Sequence, residues 1–198
     1  PSNEKIKITD VRLKNIYDEE RNLNIIFYST IVLGEDEFKT NKNLVAKLEN
    51  NIVYIKNSLS EGEFKDNIMY ISSNQKIKNL SFDKNDLFEN NNLTKPIKKL
   101  YGIDYYSNHV NCVCIEFEIT LSAFEEKRLI LEMGQELNID EIKNIVSKYS
   151  DVDYANLFEN ANAYNEKLKN LTYPFQTYDT IDGYKDTLNI NNNIYCEK

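Results

Sequence analysis

Between residues 5 and 15 apolar and polar side chains alternate, with Ile6, Ile8, Val11 and Leu13 set among Lys7, Thr9, Asp10 and Arg12, the mark of a half-buried strand. A polar turn over residues 17–22 leads to residues 23–33, which are apolar on both faces: Leu23, Ile25, Phe27 and Ile31 on one, Ile26, Tyr28 and Val32 on the other. A strand of that kind belongs inside a sandwich, and Gly34 ends it. The two stretches read as one long hairpin. Shorter strand signals follow at 44–48, 52–55, 67–72 and 76–80, separated by clusters of Asn, Gly and Ser. From Phe82 to Leu100 the period is lost, Asn is dense and Pro96 excludes a central strand. This stretch reads as a long excursion from the sheet, the kind of loop in which binding residues concentrate.

The cleanest strand is residues 112–121, where Val113, Ile115, Phe117, Ile119 and Leu121 alternate with Cys114, Glu116, Glu118 and Thr120. Leu129, Leu131 and Met133 resume the pattern after a tight turn, and Gly134 is expected to stop it. The period then changes. Asn138 is a plausible N-cap, and Ile139, Ile142, Ile145, Val146 and Tyr149 fall on one helical face. A second helix follows Asp151 or Asp153, carrying Leu157, Ala161, Tyr164, Leu168 and Leu171 at helical spacing. Strands first and helices last predict a mainly β chain, an antiparallel sandwich with a helical tail.

Composition narrows the function classes. A net charge of −8 disfavours nucleic acid as a partner, because phosphate contacts need clustered Lys and Arg. No apolar run approaches the ~20 residues that span a bilayer, and the first residues open into a strand without a signal-peptide core, so no membrane association and a cytoplasmic location are expected. Tyr supplies 14 aromatics and Trp none, which reads as strand packing before it reads as a sugar-stacking surface. Cys112, Cys114 and Cys196 give an odd count, with the first two on one face of a strand as half-buried reduced thiols. His109 is the sole histidine, so neither a metal site nor a cofactor is expected.

Catalytic constellations are equally thin. A mutarotase-like catalyst needs a histidine acid and a carboxylate base at an anomeric carbon, and His109 reads instead as a loop or strand-edge residue. Glu116 and Glu118 share the outward face of their strand and read as solvated rather than as a glycosidic pair. No nucleophile elbow or glycine-rich phosphate loop is present.

The order of segments resembles one family. Val11-Arg12-Leu13-Lys14-Asn15 matches an opening strand that ends in R-L-T-N, and Tyr28-Ser29-Thr30-Ile31-Val32-Leu33-Gly34 is similar to Y-x-E-W-V-L-G. Leu93-Thr94-Lys95-Pro96 is similar to the L-x-x-P after a sugar-proximal loop, and Glu118 through Gly134-Gln135 to L-x-P-G-E-x-x-x-x-x-F-L-L-G-Q. Tyr164 stands at a Y-W-x-x-L-L helix site. These segments resemble the N-terminal β-supersandwich and linker helices of glycoside hydrolase family 94 (formerly glycosyltransferase family 36), especially the version in cyclic β-1,2-glucan synthases.

The resemblance implies a galactose-mutarotase-like antiparallel β-supersandwich over residues 1–136, two linker α-helices over 137–172, and over 173–198 either the start of an (α/α)6 barrel or a polar tail. In that family the general acid and phosphate site belong to the barrel, so no catalytic residue is expected here. It further implies a carbohydrate-associated role with a β-glucan oligosaccharide as possible ligand, Asp83, Lys84 and Phe88 as the sugar-proximal residues, and a catalytic barrel or a homo-oligomer as partner. The alternatives are a free-standing, non-enzymatic carbohydrate-binding or scaffold protein, and an independent epimerase-type enzyme, which requires His109 in a cleft with a carboxylate. Departures bear on the sugar contacts. The family's D-R-x-x-F-x-G-R loop reads here from Asp83-Lys84 to Glu89-Asn90, which removes an Arg fork and reverses a charge. Pro-Gly becomes Ala123-Phe124, and the helix Trp becomes Asn165.

Overall fold

The computed structural model describes residues 5–34, 40, 42–59, 65–88, 99–150 and 152–172. Nine strands run β1 (Ile6–Lys14), β2 (Arg21–Ser29), β3 (Leu44–Glu49), β4 (Ile52–Asn57), β5 (Ile68–Ser73), β6 (Ile77–Ser81), β7 (Tyr106–Ser107), β8 (Val113–Leu121) and β9 (Glu126–Glu136) among the described residues. Two helices follow, α1 (Ile139–Ser150) and α2 (Tyr154–Thr172). The strands form a six-stranded sheet in the order β1-β9-β5-β4-β3-β7 and a three-stranded sheet in the order β2-β8-β6, each antiparallel throughout. Mainly β, with helices after the strands, is the architecture that a β-supersandwich requires.

The main core lies between the sheets. Val53, Ile55, Ile71 and Leu129 from the larger sheet meet Val113, Ile115, Phe117 and Ile119 from the smaller, all at most 2% exposed. Burying each such side chain is worth roughly 1.5–3 kcal/mol, so the period-2 apolar positions are what hold the sheets together. A bulge between Ile77 and Asn79 lets Ile77 and Leu80, three residues apart, both face this core.

The expected β1–β2 hairpin is not formed. β1 pairs with β9 and β2 with β8, so the two strands lie in different sheets. β8 and β9 cross between the sheets in the same way, and the two crossings are tied by Asn15 N donating to Glu125 O (2.9 Å) and Phe124 N to Tyr17 O (3.1 Å). β2 also ends at Ser29, short of Gly34. Gly134 does not stop its strand either. β9 continues to Glu136, and a Cβ at Gly134 would stand 2.6 Å from Lys5 O and 2.7 Å from the Tyr70 ring, so this glycine makes room for Tyr70.

α1 is capped by Asn138, whose Oδ1 accepts from Glu141 N at 2.9 Å. Its predicted apolar face is the buried one: Ile142 packs on Ile52, Tyr54 and Tyr70 from the outer side of the larger sheet, flanked by Ile139, Ile145 and Val146. By its contacts the chain divides into two compact units after Val152. α2 opens the second unit, capped by Asp153 Oδ1, which accepts from Ala155 N (3.0 Å) and Asn156 N (3.3 Å). Within it Ala161 and Tyr164 are exposed. Residues 173–198, Cys196 among them, and Leu93–Pro96 lie outside the described residues, as do the side chains of Leu168 and Leu171. None of the described helices is long and apolar enough to cross a membrane.

Candidate functional site

The excursion after β6 starts with a short 3-10 turn, Lys84–Asp86, and Asp83 is its N-cap. Asp83 holds an extended backbone, φ −114° and ψ 122°, which turns its carboxylate back over the free N–H groups of the turn. Asp83 Oδ1 accepts from Asn85 N (3.0 Å), Asn85 Nδ2 (3.0 Å) and Asn111 Nδ2 (3.1 Å). All three converge on one oxygen, and among the described residues no hydrogen bond is made to Oδ2. Partial burial favours the neutral acid, but the Asn85 backbone, the Asn111 amide and nearby His109 outweigh it, so the Asp83 carboxyl titrates below its ordinary range.

Lys84 is half-buried, and its backbone N–H donates to Asn111 Oδ1 at 2.8 Å. Asn111 thus grips Asp83 and Lys84 at once and fixes the turn to the segment entering β8. Ser81 adds a second brace: its Oγ accepts from Asp83 N (3.1 Å) and donates to Asp86 Oδ2.

Phe88 is 5% exposed and stands edge-on to Tyr28, with ring centroids 5.0 Å apart at 85°. With Leu87, Leu100, Cys112 and Cys114 it forms a small core on the outer face of the three-stranded sheet. Its role is therefore to back the loop from inside. Asp83 and Lys84 are half-buried beside the exposed Asn85 and Asp86, and Glu89 and Asn90 lie outside the described residues. Asn111 and Ser81 escaped the sequence reading, because neither carries a periodic or motif signal.

Five further residues stand differently from expectation, or in a plainer way. Glu116 is buried at 5% exposure, where Asn79 Nδ2 donates to it at 2.9 Å and Lys78 Nζ stands 4.0 Å away. Only Glu118 of the supposed solvated pair is exposed, and it pairs with Lys78 at 2.7 Å. Cys112 and Cys114 are wholly rather than half buried, free, and 3.5 Å apart at sulfur. The contact with Cys114, reinforced by burial, pushes the Cys112 thiol far up. His109 sits exposed in its loop, its N–H donating to Ser107 Oγ at 3.1 Å, near enough to act electrostatically on Asp83 but not hydrogen-bonded to it among the described residues.

Comparison with known families turns on the sandwich and its first helix. The family described as glycosyl hydrolase 94, supersandwich domain, matches residues 1–152, about three-quarters of the sequence. The chain belongs to this family. No curated protein matches it. The glycosyl hydrolase 94 supersandwich match ends at Val152, where the first compact unit also ends, and it takes in α1 together with the sheet on which α1 packs. The opening-strand motif acquires a physical role in this setting. Asn15 is 3% exposed and its amide donates to Glu19 O (2.7 Å), Ser122 O (2.8 Å) and Leu121 O (3.3 Å), bridging the two crossings between sheets.

Proposed function

We propose that this chain is a non-catalytic, carbohydrate-associated domain of a glycan phosphorylase or cyclic glucan synthase-like protein. In this reading it presents the loop at Asp83 and Lys84 to a β-glucan oligosaccharide, with Phe88 as the loop's buried support. Residues 1–136 form the sugar-side sandwich, 137–172 the linker, and 173–198 lead toward an (α/α)6 barrel or end as a polar tail. The observation that carries the reading is the family match together with the Asp83 carboxylate, braced through Oδ1 and with no hydrogen bond to Oδ2 among the described residues. An ionised carboxylate accepts from one sugar hydroxyl and a lysine ammonium donates to its neighbour without any chemistry being needed.

A second reading, a self-sufficient carbohydrate-binding or scaffold protein, is favoured by one observation. α1 turns its apolar face onto its own sandwich rather than leaving it for a docking partner. The exposed Tyr164 of α2 favours the first reading, since a linker helix awaiting a barrel keeps such a side chain uncovered.

Calorimetric titration with β-1,2-linked gluco-oligosaccharides, with cellobiose as control, tests the proposal. Saturable heat that is lost in Asp83→Ala and weakened in Lys84→Ala supports it. The same heat in all three proteins would remove the loop from the binding site.

A further inference from the structure

We infer that the groove between the β3–β4 and β5–β6 turns binds a neutral oligosaccharide at a site separate from the Asp83 loop. The groove encloses about 470 Å³, within the ~300–1,000 Å³ of small-molecule sites. It opens beside Ile77 at the start of β6, whereas Asp83 follows the end of that strand.

The lining fits a sugar. Leu48, Ile77 and Ile103 supply an apolar floor. Asn50 and Gln75 add carboxamides, each able to donate and accept, and Tyr105 adds a ring that is 66% exposed. A pyranose asks for these features together: neutral donors and acceptors for its hydroxyls, and an aromatic face for its C–H groups. Among the described residues no carboxylate lines the groove and Lys76 is its one cation, so neither a metal ion nor a polyanion finds the charge it needs.

The groove is also built before any ligand arrives. Asn50 and Asn51 hold the left-handed conformation (φ 53° and 65°) that closes the β3–β4 turn. Asn51 then crosses to the neighbouring turn, donating to Gln75 O (3.0 Å) and accepting from Ile77 N (2.9 Å). Asn74 anchors that turn to β9, accepting from Ile130 N (2.8 Å) and donating to Arg128 O (3.0 Å). Leu48 N donates to Tyr105 O at 2.9 Å and fixes the aromatic wall. Asn51 and Asn74 are thus consumed in holding the turns, and Asn50, Gln75 and Tyr105 are left to meet the ligand with little further ordering.

The test is nitrogen-15 NMR of the full chain titrated with cellotetraose and with β-1,2-linked glucotetraose, using inorganic phosphate and an acidic tetrapeptide as controls. The expected result is a saturable shift of the Asn50 and Gln75 side-chain amides with at least one saccharide. Tyr105→Ala should weaken that binding by up to about tenfold while leaving the core spectrum intact, and Gln75→Ala should weaken it as well. Asp83→Ala should leave these shifts unchanged, which separates this site from the proposed loop contact. Absence of shifts at both amides with both saccharides would overturn the inference. So would shifts that persist undiminished in Tyr105→Ala, that disappear in Asp83→Ala, or that arise only with the phosphate or the peptide.

Discussion

Asn15 and Ser122 stand 107 residues apart and share a 2.8 Å hydrogen bond from the buried Asn15 amide to the Ser122 carbonyl. The same amide reaches Leu121 O and Glu19 O, and Asn15 Oδ1 accepts from Tyr17 N at 3.1 Å. One side chain therefore closes both crossings between the sheets. Asn15→Ala takes this donor from the buried Leu121 carbonyl and from the part-buried Glu19 and Ser122 carbonyls, and should destabilise the fold by about 1–3 kcal/mol. Urea denaturation measures this, and a loss under ~0.5 kcal/mol would mean that solvent replaces the amide at no cost.

Phe124 sits in the neighbouring turn at φ 58°, where a bulky residue is strained, and it is 64% exposed. Its ring contributes little burial, while the left-handed backbone costs roughly 1–2 kcal/mol. Phe124→Gly should raise stability by about 0.5–1 kcal/mol, after allowing for the greater freedom of glycine in the unfolded chain. The backbone hydrogen bond to Tyr17 O survives the change, so a drop in the urea midpoint would contradict this view of the turn.

Gly134 presents the opposite case. An added methyl group would run into Lys5 O at 2.6 Å and the Tyr70 hydroxyl at 2.7 Å, one of them backbone that cannot rotate away. Gly134→Ala should cost about 1–3 kcal/mol. The double change with Tyr70→Phe should recover only part of it, because the Lys5 carbonyl remains.

The pH dependence of the Asp83 turn has a definite sign. A carboxyl whose folded value lies below its ordinary one contributes stability that is complete above the ordinary carboxylate range and is lost as pH falls through the folded value. Asp83→Asn keeps the shape and removes the charge. The stability gap between it and the native chain should be fully present at pH 7 and close in the acidic range below ordinary carboxylate titration. A gap that widens on acidification would reverse the assignment.

Cys112 and Cys114 should resist iodoacetamide at pH 8 in the folded chain and react fully in urea, since both are buried and the Cys112 thiol is held well above its usual value. Peptide mass spectrometry reads each site separately. Rapid native labelling of either would show that the small core beneath Phe88 opens readily.

Apart from the two-residue β7, the individual strands and α1 were legible because burial on one face writes itself into the sequence as period 2 or period 3.6, as with Val113 to Leu121 and Ile139 to Tyr149. Partnering was not. Periodicity says which face of β1 is buried but not which sheet it joins, and its partner β9 lies more than a hundred residues away. Glu116 misled for a related reason: its strand face points outward, yet Asn79 and the segment at Gly102 cover it, Gly102 N donating to Asn79 Oδ1 at 3.0 Å. At the candidate site Asp83 could be found from a motif. Asn111 could not, because its grip on Asp83 joins positions 28 apart in sequence. The exposed Tyr105 ran against the reading of tyrosines as strand packing, because it lies in the loop just before the two-residue β7.

The central claim, a sandwich that holds a glucan without acting on it, is tested most directly by saturation-transfer NMR on β-1,2-linked gluco-oligosaccharides in the presence of phosphate. Magnetisation passing from protein to sugar protons, with anomeric signals unchanged over hours, is the predicted result. No transfer, or new anomeric signals growing in proportion to the protein, would contradict it.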